Sequence, residues 1–241
     1  MKKRWDGIME RESALHHALK IQYAGIDGKT EAAVRCGGSG GCVRSYICDG
    51  VTGAGEIIEV QTGSFAPLKE KMRDLSREYN VRVVHPIVLH KHIELYKEDG
   101  AVIHSRKSPA AGGKWDVFKA LVYGWEIAAL DNVCIELAFV DITETRVADG
   151  RGSWRRKGVC IADKRLLARH SSIVLREKAD YLQFAPFELD ERWTTADLAL
   201  RARIRLPLAQ KTAFVLTKLN AIARIGKKGV AWVYSHFQSG F

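Results

Sequence analysis

Asp49 and the triplet Glu59-Val60-Gln61 are the residues whose types and spacing could do chemistry. The two carboxylates lie ten positions apart around the glycine-rich turn Gly50-Val51-Thr52-Gly53-Ala54-Gly55. Two strands returning over that turn would set the acids side by side, and the twofold period of a strand would point Glu59 and Gln61 the same way. Carboxylate and carbonyl oxygens are the donors that suit Mg²⁺, which can stabilise a phosphate and activate water. Asp49, Glu59 and the Val60 carbonyl are therefore the candidate metal ligands, with Glu12 on an upstream helix as a cap. The structural alternative makes Asp49-Gly50 a turn dipeptide and puts Glu59 and Gln61 on the solvent face of a strand, with Ile58 and Val60 inside.

The elements that must position these residues follow from periodicity and turn chemistry. Residues 10–24 place Leu15, Ala18, Leu19 and Gln22 on one helical stripe. A short strand at 32–35, a flexible turn at 37–41 and the Asp49/Glu59 hairpin come next. Pro67 opens a second helix to about Tyr79, with Leu68, Met72 and Leu75 inward. Residues 81–89 form a β-rich run that Pro86 should break, bulge or confine to an edge. A hairpin is expected over 92–97 and 101–107, a helix from near Trp115, and a long strand over 133–147. Residues 163–175 return to helical periodicity.

Charge divides the chain. Of its 241 residues, those from 151 onward hold 18 Lys and Arg against 7 Asp and Glu, whereas residues 1–150 hold 20 against 21. A module so basic attracts polyanions. No apolar run approaches the roughly 20 residues of a membrane span, and the N-terminus lacks the apolar segment of a secretory signal. Nucleic acid in the cytoplasm is the expected setting, with no membrane. The five cysteines form no C-x-x-C pair and read as small buried hydrophobes rather than zinc ligands. Tyr23 stands where a phosphate-binding loop ending in Gly28-Lys29-Thr30 needs glycine, and no G-x-S-x-G elbow is present. His85, His90, His92 and His104 lack metal-ligand spacing and read as ordinary histidines.

The basic region ends in a recognisable pattern. Thr194 or Thr195 caps a short helix, Pro207 opens another with Leu208, Thr212, Val215, Leu216 and Leu219 inward, and a hairpin with the tip Gly226-Lys227-Lys228-Gly229 follows. Residues 193–236 resemble a winged helix-turn-helix domain. The resemblance implies groove contacts from Gln210, Lys211, Phe214 and Lys218, and phosphate contacts from Arg201, Arg203, Arg205, Lys227 and Lys228. No glycine occupies the expected turn, Arg203-Ile204-Arg205-Leu206. Arg155 and Arg156, beside Trp154, are further candidates for nucleic-acid contact.

Helix, Asp-bearing strand, Glu-x-Gln strand, helix and strand together resemble the PD-(D/E)XK, or restriction-endonuclease-like, nuclease superfamily over residues 10–89. Asp49 matches the first acid and Glu59 the second. Gln61 stands at the lysine position and cannot act as a base. The resemblance implies an α/β fold with a mixed sheet flanked by helices, and Mg²⁺- or Mn²⁺-dependent hydrolysis of DNA with Asp49, Glu59, Gln61 and Glu12 at the centre. Segments 59–65, 82–87 and 149–156 also resemble an uncharacterised bacterial family, which makes Ser64 and His85 secondary candidates. The expected organisation is a nuclease-like domain at 1–150, a basic connector with a helix at 151–192, and a C-terminal winged helix domain at 193–241. Double-strand cutting would need two sites, so a homodimer is expected. The competing expectation is a non-catalytic DNA-binding regulator.

Overall fold

A computed structural model describes residues 12–38, 41–150, 152, 154 and 158–237. Ser13 starts α1 (Ala14–Ala24) by accepting the His16 N–H, and Gly25, at φ 76°, ends it in the left-handed region that glycine occupies without strain. There follow β1 (Lys29–Gly37), β2 (Val43–Val51) and β3 (Ile57–Val60), then α2 (Lys69–Leu75), β4 (Val81–Lys97), β5 (Val102–Lys107), α3 (Val117–Leu121), β6 (Val133–Ala148) and β7 (Val159–Leu175). The strands form one seven-stranded sheet in the order β1-β2-β3-β4-β6-β7, with β5 paired to β4. β1, β2 and β3 are antiparallel neighbours, β3-β4 and β4-β6 are parallel, and β7 returns antiparallel to β6.

The sheet is mixed and covered on both faces. On one face, Leu15 and Leu19 of α1 pack on Ile58, Val60, Val84, Ala138, Val140 and Ile142. On the other, Met72 and Leu75 of α2 and Phe118 and Leu121 of α3 join Ile57, Val83 and Ile135. Pro86 does not break β4. Val84 accepts the Gln61 N–H and Val88 accepts the Gly112 N–H, so by strand alternation the missing N–H of Pro86 faces the gap between them, beyond the end of β3.

Residues 163–175 correct the sequence reading, because they lie in β7 and not in a helix. Thirteen register pairs join β7 to β6, and that pairing overrides a leucine spacing suggestive of a helix. β7 is an edge strand on which exposed charge is at home, and Asp163 accepts the Ala14 N–H at 3.0 Å. The sheet therefore continues past residue 150, and residues 159–175 are part of it rather than of a connector.

The C-terminal segment contains α4 (Lys178–Tyr181), β8 (Trp193–Thr194), α5 (Thr195–Arg201), α6 (Leu206–Lys218), β9 (Ile222–Lys228) and β10 (Ala231–His236). Its small sheet has the order β8-β10-β9. In the turn between α5 and α6, Arg203 takes φ 52°, the conformation for which a glycine would have been the easier choice. Trp193, Leu198, Val215 and Leu216 belong to the same buried cluster as Phe65, Phe118 and Leu121. Phe184 links the two halves through an edge contact with Phe118, ring centres 4.9 Å apart. None of the five cysteines is in a disulfide; Cys36, Cys48 and Cys134 are buried as expected, whereas Cys42 is exposed and Cys160 half-buried.

Candidate functional site

The Asp49/Glu59 pair sits where two strands part. β2 and β3 make only the register pairs Val51↔Ile57 and Gly50↔Ile58. Beyond them carboxylates stand in for peptide partners: the Asp49 N–H donates to Glu59 Oε1 at 3.3 Å, and the Val60 N–H donates to Asp49 Oδ2 at 2.8 Å. Glu59 is only 4% exposed, which rules out the solvent-face alternative for that residue.

Each acid meets a basic side chain from a different helix. From α1, His16 Nε2 lies 2.9 Å from Asp49 Oδ2 and its Nδ1 lies 3.2 Å from Glu12 Oε1. From α2, Lys71 Nζ lies 2.5 Å from Glu59 Oε1 and donates to the Ile47 carbonyl at 2.7 Å. Glu12 thus reaches the site through His16, and it also pairs with buried Lys20, which holds Glu31 on its other side.

The two acids are driven apart in acidity. Burial pushes the Glu59 carboxyl up, and Lys71 only partly offsets this. Burial acts on Asp49 in the same sense, but the His16 hydrogen bond and the Val60 amide outweigh it and hold Asp49 below the usual range. His16 is lowered by burial yet raised overall by its contact with Asp49 and the charge of Glu12. A carboxylate kept ionised beside one that resists ionisation is a pattern that functional sites use, as ion-pair networks also do.

Gln61 is less central than its position suggested. Its side-chain oxygen accepts the Gly63 N–H at 3.3 Å, and its carbonyl accepts from His85 Nδ1 at 2.6 Å. His85 is buried, packs edge-on against Phe65, and is held below its ordinary pKa by burial. Lys71 is the residue that sequence reasoning missed. It flanks the Leu68-Met72-Leu75 stripe, and its place beside inward residues was the available signal.

Asp49 and Glu59 suit a hard divalent ion in kind, since both supply oxygen. Among the described residues, no group of three or more His, Cys, Asp and Glu side chains is placed to hold a metal. An ion at this centre would rest on the two acids, and it would compete with Lys71 for Glu59.

The basic candidates are dispersed. Arg155 and Arg156 lie outside the described residues. Arg201 is committed to a double contact with Glu191, at 2.7 and 2.6 Å, and to the face of Phe187. Arg203, Arg205, Gln210, Lys227 and Lys228 are exposed. Lys227 and Arg224 flank the Trp232 ring. Lys218 lies over Trp125 and Lys211 over Tyr123, both residues of the segment before β6, while Phe214 packs against the common core.

Fold and site define an α/β protein with a large mixed sheet, a carboxylate pair at the parting of two strands, and a basic helix-and-hairpin segment built onto the same core. The chain belongs to the family described as Domain of unknown function (DUF8091), whose match covers residues 13–176. That span runs from the cap of α1 to the end of β7, and so takes in the whole large sheet. The chain is also 30% identical over 189 residues to an uncharacterized protein of Treponema pallidum (strain Nichols), over 78% of this chain and 72% of that one. No solved structure matches it.

Proposed function

We propose that this protein is a metal-dependent nuclease that hydrolyses DNA phosphodiester bonds at Asp49 and Glu59. The observation that carries the reading is the position of the two carboxylates at the parting of β2 and β3, where Glu59 accepts the Asp49 N–H, Asp49 accepts the Val60 N–H, and each is backed by a side chain from a separate helix. The order of α1, three antiparallel strands, α2 and a parallel β4 supports a restriction-endonuclease-like fold. The sequence β8, α5, α6, β9, β10 with strand order β8-β10-β9 supports a winged helix beside it.

Asp49 and Glu59 would hold Mg²⁺ or Mn²⁺, and the bound ion would supply charge stabilisation and a nucleophilic water. His16 keeps Asp49 ionised and oriented. Lys71 brings to Glu59 the positive charge that neutral Gln61 does not. Gln61 is left to orient water or phosphate.

A DNA-binding regulator without catalysis is the second reading, favoured by Lys71 already filling the cation position at Glu59. Incubation with supercoiled plasmid and Mg²⁺ or Mn²⁺, beside chelator, separates the two. Wild type should nick the plasmid, while Asp49→Asn and Glu59→Gln should not. Cleavage that survives both substitutions would remove the site, and binding without cleavage of any DNA form would leave the regulator.

A further inference from the structure

Two cavities of about 470 and 530 Å³ adjoin, sharing Ala111, Asp116 and Lys119 as walls, and together make one groove. One end is formed by Thr62–Ser64 and His85, immediately past Gln61 on the chain. Glu59 faces α2 through Lys71, and His85 packs on Phe65 in the core beneath that helix, so this end lies on the same face as Glu59. The other end is formed by the start of α6, with Arg205 and Lys211.

Lys91, Lys119, Arg205 and Lys211 line the groove, and Asp116 is the one acid among the described residues that does so. Lys91 is paired with Glu144 and Lys119 with Asp116. Arg205 and Lys211 have no acidic partner among the described residues, so their charge is available to a ligand. Tyr123, 59% exposed, adds an aromatic face at the wall.

The position of α6 limits what can bind. A helix with its side chains is roughly 10–12 Å across, about the width of the DNA major groove, and needs a bare face to enter it. α6 buries Ala209, Thr212, Ala213, Val215 and Leu216, and it packs against α3 as well as α5. Lys211, half-buried, lies over Tyr123, and Lys218, though exposed, lies over Trp125. The basic segment therefore forms a wall of a groove. Each cavity has the size of a small-molecule site, in the usual range of about 300–1,000 Å³, which suits a nucleotide or two. Cations along a backbone path with an aromatic platform are the features that bind single strands.

We infer that the groove between α3 and α6 binds single-stranded DNA and leads a strand end or flap toward Glu59. The direction of travel rests on the nuclease reading; the binding does not. The test is fluorescence anisotropy with a labelled 12-nucleotide oligo(dT) and a blunt duplex of the same length, in chelator, using the whole chain. Wild type should prefer the single strand. Arg205→Gln with Lys211→Gln should weaken single-strand binding about tenfold and reduce its salt slope by about 1.4, the loss of two phosphate contacts at about 0.7 each. Lys29→Gln with Arg35→Gln, exposed on the edge strand β1 and outside both cavity walls, should leave it within about twofold on the same basis. Equal or tighter duplex binding, or an unchanged Arg205/Lys211 variant, would overturn the inference. Glu59→Gln separates the two readings. If it binds oligo(dT) like wild type and neither protein cleaves DNA once Mg²⁺ or Mn²⁺ replaces the chelator, the nuclease reading fails and the groove stands. Cleavage with groove variants that bind normally sinks the groove alone.

Discussion

Replacing Lys71 with methionine isolates the most consequential contact at the site. The Lys71 side chain is 17% exposed and that of Glu59 is 6% exposed, with 2.5 Å between the charged atoms. Removing one partner of a buried pair costs roughly 3–5 kcal/mol because it strands the other charge. Lys71 keeps some contact with water, so about 3 kcal/mol is the reasonable expectation at pH 8. Protonation of Glu59 limits the loss at lower pH. Its carboxyl is already raised by burial with Lys71 present, and it must rise further when the ammonium is gone. A carboxyl with a raised folded pKa contributes stability that is fully present below its unfolded value, near 4.5, and lost as pH rises through the folded value. The cost of Lys71→Met should therefore grow with pH, falling to about 1 kcal/mol at pH 5, where little beyond the lost contact with the Ile47 carbonyl remains. Urea denaturation followed by tryptophan fluorescence at pH 5 and pH 8 measures this directly. Glu59→Gln in the Lys71→Met background should recover most of the loss at pH 8, since the stranded charge is then absent. A loss under about 0.5 kcal/mol at pH 8 would refute the reasoning on the scale of ordinary surface changes, as would equal losses at the two pH values.

Other consequences can be checked alongside. His16→Gln should cost about 1 kcal/mol near pH 6, the scale of a partly exposed ion pair, and little by pH 9. The raised His16 contributes stability that is lost as pH rises above 6.5 through its folded value, and the lowered Asp49 contributes stability that is lost only as pH falls below 3.8. Phe184→Ala should cost about 3–5 kcal/mol and keep a single thermal transition in calorimetry, because Phe184 joins the core of the large sheet to that of the C-terminal segment; two separated transitions would refute the common core. At Gly112 a Cβ would collide with the Val88 carbonyl oxygen, so Gly112→Ala should lose roughly 1–3 kcal/mol by overpacking in the same urea assay. It should also weaken oligo(dT) binding, since Gly112 forms part of the groove wall.

What the sequence made legible was local. The Asp49/Glu59 hairpin announced itself because apolar runs flank a glycine-rich turn, and the α5, α6 and β9-β10 pattern because Thr194, Pro207 and Gly229 mark its boundaries. β7 was hidden because its strand character comes from pairing with β6, while Leu166, Leu167 and Leu175 give a helix-like spacing. Lys71 was hidden because a residue at the border of an apolar stripe looks like any solvated lysine until the opposing strand is in place. The separate basic domain was misleading for a related reason. α6 packs against α3 as well as α5, and its inward residues Leu208, Thr212, Val215 and Leu216 read equally well as one face of a free-standing module.

The parting of β2 and β3 also dictates how the site must be probed. Asp49 and Glu59 accept the Val60 and Asp49 N–H groups, which would otherwise lie unpaired where the ladder stops, and unpaired buried donors cost about 1–3 kcal/mol each. Alanine at either position removes a peptide's partner together with the negative charge, so lost activity would be inseparable from a loosened strand end. Asparagine and glutamine retain an oxygen for the same N–H while abolishing the charge. They lose the charge attraction to His16 and Lys71, and that loss acts on α1 and α2, not on the strand pairing. If Asp49→Asn and Glu59→Gln unfold at a clearly higher urea midpoint than the alanine variants yet fail to nick plasmid, the deficit belongs to the charge. If they unfold as readily as the alanine variants, the carboxylates are chiefly the closure of the β2-β3 ladder, and the helices hold them for that purpose.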